Sequence, residues 1–348
     1  MIETLQIKDF TAFADADLAF GQNLNIFVGE NGTGKSHLLK LAYTVLATLA
    51  QGKRESKEAT PSDTFLKGAL ARKLLGVFHP DGLGRLVKRR PGVHRCEVTL
   101  GTRDSAFKTG FYFNTKAKSE VSISLLPAAW LDKLPVFLPT RELLTIYPGF
   151  VSLYESAILP FEETWRDTCV LLGAPLARGP REATIQKLLG PLEEALGGKI
   201  VLEASGQFYL KRDGANTEIH LVAEGLRKLA MVARLIATGS LVDKGCLFWD
   251  EPEANLNPKL IKDVARAIVH LSQSGIQVFV ATHSLFFLRE IEMILAADKI
   301  DTRFFGLQSS RNGVTIKQGA APEDMGSIAV LDEELEQSGR FLQDETKS

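Results

Sequence analysis

IFVGENGTGKSHLL, residues Ile26 to Leu39, is the stretch on which the reading of the whole chain turns. The apolar run Leu24 to Val28 predicts a buried strand, and beyond the glycines Leu38, Leu39, Ala42, Val45, Leu46 and Leu49 recur at helical spacing. Between the two, Gly29, Gly32 and Gly34 free the backbone to turn its N–H groups inward. With Glu30, Asn31 and Thr33 they make a loop that cradles phosphate at a helix N-terminus. The spacing G-x-x-x-x-G-K-S then sends the Lys35 ammonium to the β- and γ-phosphates and the Ser36 hydroxyl to Mg²⁺. A glycine-rich turn with a helix-capping serine is the competing reading.

Two later stretches supply partners for this loop. In GCLFWDEPEANLNP, Gly245 to Pro258, the apolar run Cys246 to Trp249 reads as a parallel strand covered on both faces. It ends in Asp250 and Glu251, and ligands of such sheets bind at the carboxyl ends of strands. Asp250 there joins the Mg²⁺ shell, while Glu251 polarises a water for attack on the γ-phosphate. Asn257 and Pro258 cap a helix whose Leu260, Ile261, Val264, Ile268 and Leu271 face inward. In IQVFVATHS, Ile276 to Ser284, another buried strand delivers His283 to the same sheet edge, within reach of the γ-phosphate.

The order GENGTGKS, WDEPEANLNP, VATHS resembles the ABC-type ATPase heads of the SMC, RecF and OLD group, over Met1 to Ala50 and His220 to Leu307. That resemblance implies an α/β fold: a P-loop head with a mixed central sheet, an antiparallel β layer and a helical lobe. It also implies ATP hydrolysis with Mg²⁺ in a head-to-tail homodimer, where a signature loop of one head meets the ATP of the other. The matching stretch here is LVAEGLRKLA, with Ala223 and Gly225 at the contact positions. Most members have serine where this chain has Ala223, so the hydroxyl contact is lost and helix N–H groups remain. The glutamine these heads carry at the start of the helical lobe is also missing, leaving Thr140, Arg141 or Glu142 for that place.

The roughly 190 residues between Ser36 and Ala223 show no sustained heptads, so the long SMC coiled coil is not expected. The resemblance therefore narrows to small AAA-type ATPases with OLD-like heads, many associated with DNA repair or phage defence. The ATPase subunit of a membrane transporter is the alternative, disfavoured by the poor LSGGQ match and the large insert. An OLD-type nuclease is a third reading, and the stretch after His283 is short for its catalytic domain.

Composition sets the frame around these motifs. At 348 residues and 45% hydrophobic the chain can bury a large core, and a net charge of -1 restricts any nucleic-acid surface to a local patch. Cys96, Cys169 and Cys246 lack metal-site spacing and suggest a reducing cytoplasm, and no apolar run approaches the roughly 20 residues needed to span a bilayer, so no membrane span is expected. The motifs divide the chain into a nucleotide-binding lobe over 1–145, a helical lobe over 146–198, the rest of the nucleotide-binding lobe over 199–320 and an acidic tail over 321–348.

Within these parts Gln51 to Asp63 reads as a solvated loop, Leu134 to Leu143 as a strand, and Glu218 to Leu221 as another. The basic run Arg85, Lys88, Arg89, Arg90, Arg95 fits either DNA phosphates or a solvated loop. The tail, with Ile328, Leu331, Leu335 and Leu342 near helical spacing, packs on its own domain or docks a separate effector protein.

Overall fold

The computed structural model describes residues 1–156, 159–179, 182–212, 214–242, 245–297 and 300–345. The chain opens with a hairpin of β1 (Ile2–Phe10) and β2 (Phe13–Ala19), then β3 (Leu24–Gly29) runs through the glycine loop into α1 (Lys35–Glu55). Next come α2 (Asp63–Phe78), β4 (Arg95–Thr102), β5 (Thr109–Asn114), β6 (Ser122–Leu125) and the short β7 (Val136–Leu138). Three helices follow: α3 (Tyr147–Ser156, its first turn broken at Pro148 and Gly149), α4 (Glu163–Leu172) and α5 (Glu182–Leu196).

The chain then forms β8 (Lys199–Leu202), β9 (Phe208–Arg212) and β10 (Ala215–Glu218) before α6 (Glu224–Ala237). A last alternating series comprises β11 (Cys246–Asp250), α7 (Pro258–Gln273), β12 (Gln277–Thr282) and α8 (Leu285–Ala297), closed by β13 (Thr302–Ser310), β14 (Gly313–Gly319) and α9 (Ala329–Glu345).

The central sheet has the order β14-β13-β3-β12-β11-β7, parallel except for β14. Side chains alternate across its strands and divide the core in two. Ile26, Val28, Leu247, Trp249, Val278 and Val280 face one side, with helices α4 to α7. Phe27, Phe248, Phe279 and Phe305 face the other, where α1, α2 and the antiparallel sheet β2-β1-β4-β5-β6 cover them. Stacked rings, Phe27 on Phe305 at 4.6 Å and Phe248 on Phe279 at 4.8 Å, fix the register of neighbouring strands on this side.

Three elements differ from the sequence expectation. The loop expected from Gln51 begins only after Glu55, because Gly52 packs flat on Trp130 and Lys53 pairs with Asp132, which carries α1 one turn further. A β-carbon at position 52 would stand 2.3 Å from the Trp130 ring. The strand expected over Leu134 to Leu143 is confined to Val136–Leu138, since Pro135 and Pro139 flank it and neither can donate a ladder hydrogen bond. Finally, residues 219–221 form a single 3₁₀ turn, and the strand lies earlier, at Ala215–Glu218, held to β9.

A buried ionic cluster ties α1, α2 and α4 together. Lys73 of α2, 4% exposed, reaches Glu163 at 2.8 Å and Asp167 at 2.6 Å, while Asp167 also accepts the Tyr43 hydroxyl and pairs with Arg166. Burial pulls the Lys73 ammonium down, but Asp167 and Glu163 outweigh it and hold its pKa above the usual 10.5. The tail helix contributes little to either core: Ile328 and Leu331 are buried at its start, Leu335 is exposed, and the Leu342 side chain lies outside the described residues.

Candidate active site

The register of the parallel strands decides what meets at the sheet edge. Val28 pairs with Thr282, and Ala281 with Asp250, so β3, β12 and β11 end together and release the glycine loop, His283 and the paired acids side by side. At the loop, Gly29 passes close to β13: a β-carbon there would meet the Leu307 carbonyl at 2.7 Å. Gly34 enters α1 at φ +86°, a conformation that L residues disfavour. Thr33 is buried, and its hydroxyl donates to the Glu30 carbonyl at 2.8 Å to close the turn, while Asn31 is exposed.

Ser36 and Asp250, 214 residues apart in sequence, meet directly, with the Ser36 hydroxyl donating to Asp250 Oδ1 at 2.9 Å. Burial raises the Asp250 carboxyl above its usual range, and the Ser36 bond and the Lys40 and Lys35 charges only partly offset that. This all-oxygen pair suits Mg²⁺, which takes one or two protein oxygens and completes its shell with phosphate and water. Among the described residues no cluster of three or more His, Cys, Asp or Glu forms an all-protein cage.

Lys35 is bonded to the loop itself, its Nζ donating to the Gly29 carbonyl at 2.7 Å and the Glu30 carbonyl at 3.0 Å. Burial lowers its pKa despite the pull of Glu251, Asp250, Glu253 and Glu30. Such an ammonium, held by neutral carbonyls beside acids, can change acceptors when an anion enters the loop.

Glu251 occupies a left-handed backbone conformation, φ +45°, fixed by its N–H to the Ala281 carbonyl at 2.9 Å. Its Oε1 lies 3.1 Å from His283 Nδ1, and this contact lowers the Glu251 pKa and raises that of His283. The geometry therefore joins two residues that the sequence placed separately at the same sheet edge.

Two neighbours were missed in the sequence. Glu253 is 7% exposed; its Oε1 accepts the Thr282 hydroxyl at 2.6 Å, and its Oε2 has no hydrogen-bond partner among the described residues. Burial raises its carboxyl. Lys228, one turn into α6, donates to the Glu251 carbonyl at 2.8 Å and the Ala254 carbonyl at 3.2 Å. A signal for it was present: Lys228, Val232 and Leu235 share one helical stripe, on which a lysine is out of place.

Ala223 and Glu224 are exposed at the start of α6, where no side chain caps the helix, and Glu224 accepts a bond from Asn255 at 2.9 Å. Gly225 faces its own chain: a β-carbon would meet Leu260 at 3.1 Å, Leu256 at 3.2 Å and the Asn255 carbonyl at 3.3 Å. The lack of a side chain at Gly225 is therefore required by packing within the chain as well.

Glu142 does not stand at the missing-glutamine position as a free polar group. It accepts the Leu144 N–H at 2.9 Å and the Thr145 hydroxyl at 2.8 Å, and it pairs with Arg227 of α6 at 3.3 Å. Thr140 is partly buried and Arg141 is exposed.

The basic run is likewise not a free stripe. Arg90 pairs with Asp9, Lys88 donates to the Ala12 carbonyl, and Arg95 pairs with Glu97 while lying 3.6 Å from the Tyr112 ring centre. Arg85 and Arg89 remain at an open hollow with Pro91 and Gly92.

With this geometry in hand, the comparisons fall into one pattern. Residues 4–58 match a family profile described as "AAA domain", and residues 169–289 match one described as "AAA domain, putative AbiEii toxin, Type IV TA system". The DNA replication and repair protein RecF of Shouchella clausii is 36% identical over 58 residues, 17% of this chain and 15% of that protein. RecF of Streptococcus thermophilus is 26% identical over 115 residues, 33% of this chain and 28% of that protein. The chain thus matches less than a third of either relative.

Among solved structures, an Smc head bound to the C-terminal winged-helix domain of ScpA superposes with a TM-score of 0.57 at 15% identity, covering 94% of this chain and 99% of that one. An Smc head with an extended coiled coil, bound to the C-terminal domain of ScpA derived from Pyrococcus furiosus, gives 0.52 at 13% identity over 99% of both chains. At such identities these likenesses speak to the fold. The fold is that of an ABC-type ATPase head, and the motif order with the AAA and RecF matches supports an SMC- and RecF-like member of that class.

Proposed function

We propose that the chain hydrolyses ATP with Mg²⁺ and works as a head-to-tail homodimer, a timed switch acting on DNA or on an effector protein in DNA repair or anti-phage defence. One observation carries the reading: Ser36–Asp250 and Glu251–His283 meet at adjacent strand ends beside the glycine loop. Ser36 and Asp250 would hold the ion, which when bound neutralises charge on the β- and γ-phosphate oxygens. Lys35 exchanges the Gly29 and Glu30 carbonyls for phosphate oxygens. Glu251, kept ionised by His283, takes the proton of the water that attacks the γ-phosphorus, and ADP leaves opposite. The helix N-terminus at Ala223 offers its free N–H groups to the γ-phosphate of the partner chain.

The RecF matches and the Smc heads bound to ScpA support DNA and an effector protein, respectively, as the switch's objects. Within the basic run, Arg85 and Arg89, at the open hollow they share with Arg90, would meet DNA phosphates. No helix among the described residues is long and apolar enough to cross a membrane.

The test is Glu251→Gln, which keeps shape and removes the proton acceptor. Turnover should fall about 10²- to 10⁴-fold with ATP still bound, and a parent-like rate would remove Glu251 from the role. For the shared site, Lys35→Ala chains are mixed with Ala223→Asp chains, whose new carboxylate caps α6 yet repels a γ-phosphate. Neither variant alone should hydrolyse ATP, and the mixture should recover one working site. Subunits that exchange without any recovery would count against head-to-tail pairing, provided a mixture of parent and Lys35→Ala chains is active.

A further inference from the structure

We infer that Lys228 is a positioning residue for ATP hydrolysis: its ammonium clamps the turn after Asp250 and so aims the Glu251 carboxylate. The inference rests on the hydrolytic reading above and adds a residue to it.

The turn needs holding. Glu251 sits at φ +45°, sparsely populated by non-glycine residues, and such a conformation persists only where surrounding bonds over-determine it. Its N–H is fixed by the Ala281 carbonyl at 2.9 Å, and its carbonyl accepts the Ala254 N–H at 3.1 Å within the turn. Lys228 supplies a further tie from outside, at 2.8 Å to that same Glu251 carbonyl and 3.2 Å to the Ala254 carbonyl. These bonds link both ends of the turn to α6.

Lys228 is placed for this task and for no visible ion pair. It is 3% exposed, and among the described residues it makes no salt bridge although Glu251, Glu253, Asp250 and Glu224 all lie near enough to favour its charge. Burial nonetheless pulls its pKa to about 8. A buried charge directed at two backbone carbonyls, with carboxylates close by, stabilises a backbone shape and leaves those carboxylates to other partners. Glu251 is the residue whose direction depends most on that shape: its carboxylate must meet both His283 and a water, and a displacement of about 1 Å in such a group can lower a rate about 10²-fold. A tie from α6 also means that the helix whose start faces a partner's nucleotide is fastened to the base of its own site, as is the Asn255–Glu224 bond one residue beyond the turn.

The experiment compares the full chain with Lys228→Met, which keeps length and removes every donor, and with Lys228→Arg, whose planar group can span two carbonyls. For each, kcat, KM for ATP, affinity for a fluorescent ATP analogue and melting temperature are measured. Lys228→Met should lower kcat about 10- to 100-fold while analogue affinity stays within about threefold, and Lys228→Arg should recover most of the rate. The inference is overturned by a Met variant within about twofold of the parent kcat. It is equally overturned if, in a folded Met variant, kcat and analogue affinity fall together, or if Lys228→Arg folds without restoring rate. Should the Met variant fail to fold, Lys228→Gln, with a donor and no charge, takes its place and must fall below Lys228→Arg in kcat at equal analogue affinity. A parent that hydrolyses no ATP sinks the hydrolytic reading itself. A parent that hydrolyses and is silenced by Glu251→Gln, yet is indifferent to Lys228→Met, sinks this inference alone.

Discussion

Two ionic clusters in this molecule use the same residue types to opposite ends. Around Lys73 each charge meets an opposite one: ammonium with Glu163 and Asp167, Asp167 with Arg166, and the Tyr43 hydroxyl on Asp167. At the sheet edge the lysines avoid the acids. Lys35 and Lys228 donate to backbone carbonyls, while Asp250, Glu251 and Glu253 take the Ser36 hydroxyl, the His283 imidazole and the Thr282 hydroxyl. The first arrangement is closed and fastens three helices. The second keeps both signs of charge available, which is what a site for an anionic substrate and a divalent ion requires. Loss of a partner should therefore unfold the first and silence the second.

The strongest way to break this contrast is Lys73→Met. It strands Glu163 and Asp167 without their cation, and removal of one member of a buried pair costs about 3–5 kcal/mol. Urea unfolding should show that loss, with ATP turnover per folded molecule close to the parent. An unmoved midpoint would mean the cluster is not structural.

The pH dependence sharpens the same point. Because the fold raises the Lys73 pKa above 10.5, its contribution is complete below that value and is lost as pH rises through the folded one. The stability gap between parent and Lys73→Met should stay constant from about pH 7 to 10 and narrow above 10.5. A gap still unchanged well into the alkaline range would assign the loss to packing and not to charge.

Asp250→Asn is the smallest expected change in stability and has the opposite sign. Burial already disfavours the Asp250 charge, so a neutral amide of the same shape should leave the apo protein as stable or up to about 1 kcal/mol more so, while abolishing hydrolysis. Thermal unfolding without nucleotide checks this. A clear loss of stability would place Asp250 with the structural cluster.

What the sequence revealed and what it concealed follow the same division. The glycine loop, Asp250, Glu251 and His283 were legible because each ends or follows an apolar strand, and strand ends of a parallel sheet share an edge. Lys228 and Glu253 were not read, since their roles depend on a turn whose shape is set by three-dimensional contacts. The Gln51 to Glu55 extension of α1 was hidden for a related reason: polar composition suggested a loop, whereas Trp130, remote in sequence, supplies the flat surface that suits Gly52. Arg90 looked available in the sequence because Asp9, remote in the chain, becomes its neighbour only where the segment at Val87 and Lys88 bridges to the end of β1, whereas the Arg95–Glu97 pair, two residues apart on β4, was open to a local reading.

The uncapped start of α6 carries a consequence for how such a protein can change under selection. An Asp or Ser at position 223 would cap the helix and add about 0.5–2 kcal/mol of stability. A screen for heat resistance alone would therefore collect Asp there and, on the shared-site reading, enrich for inactive proteins. A screen for activity would admit Ser and reject Asp. Ala223 leaves that stability unused, and the frequency with which each residue emerges under the two regimes would measure how strongly the exposed N–H groups are reserved for a ligand.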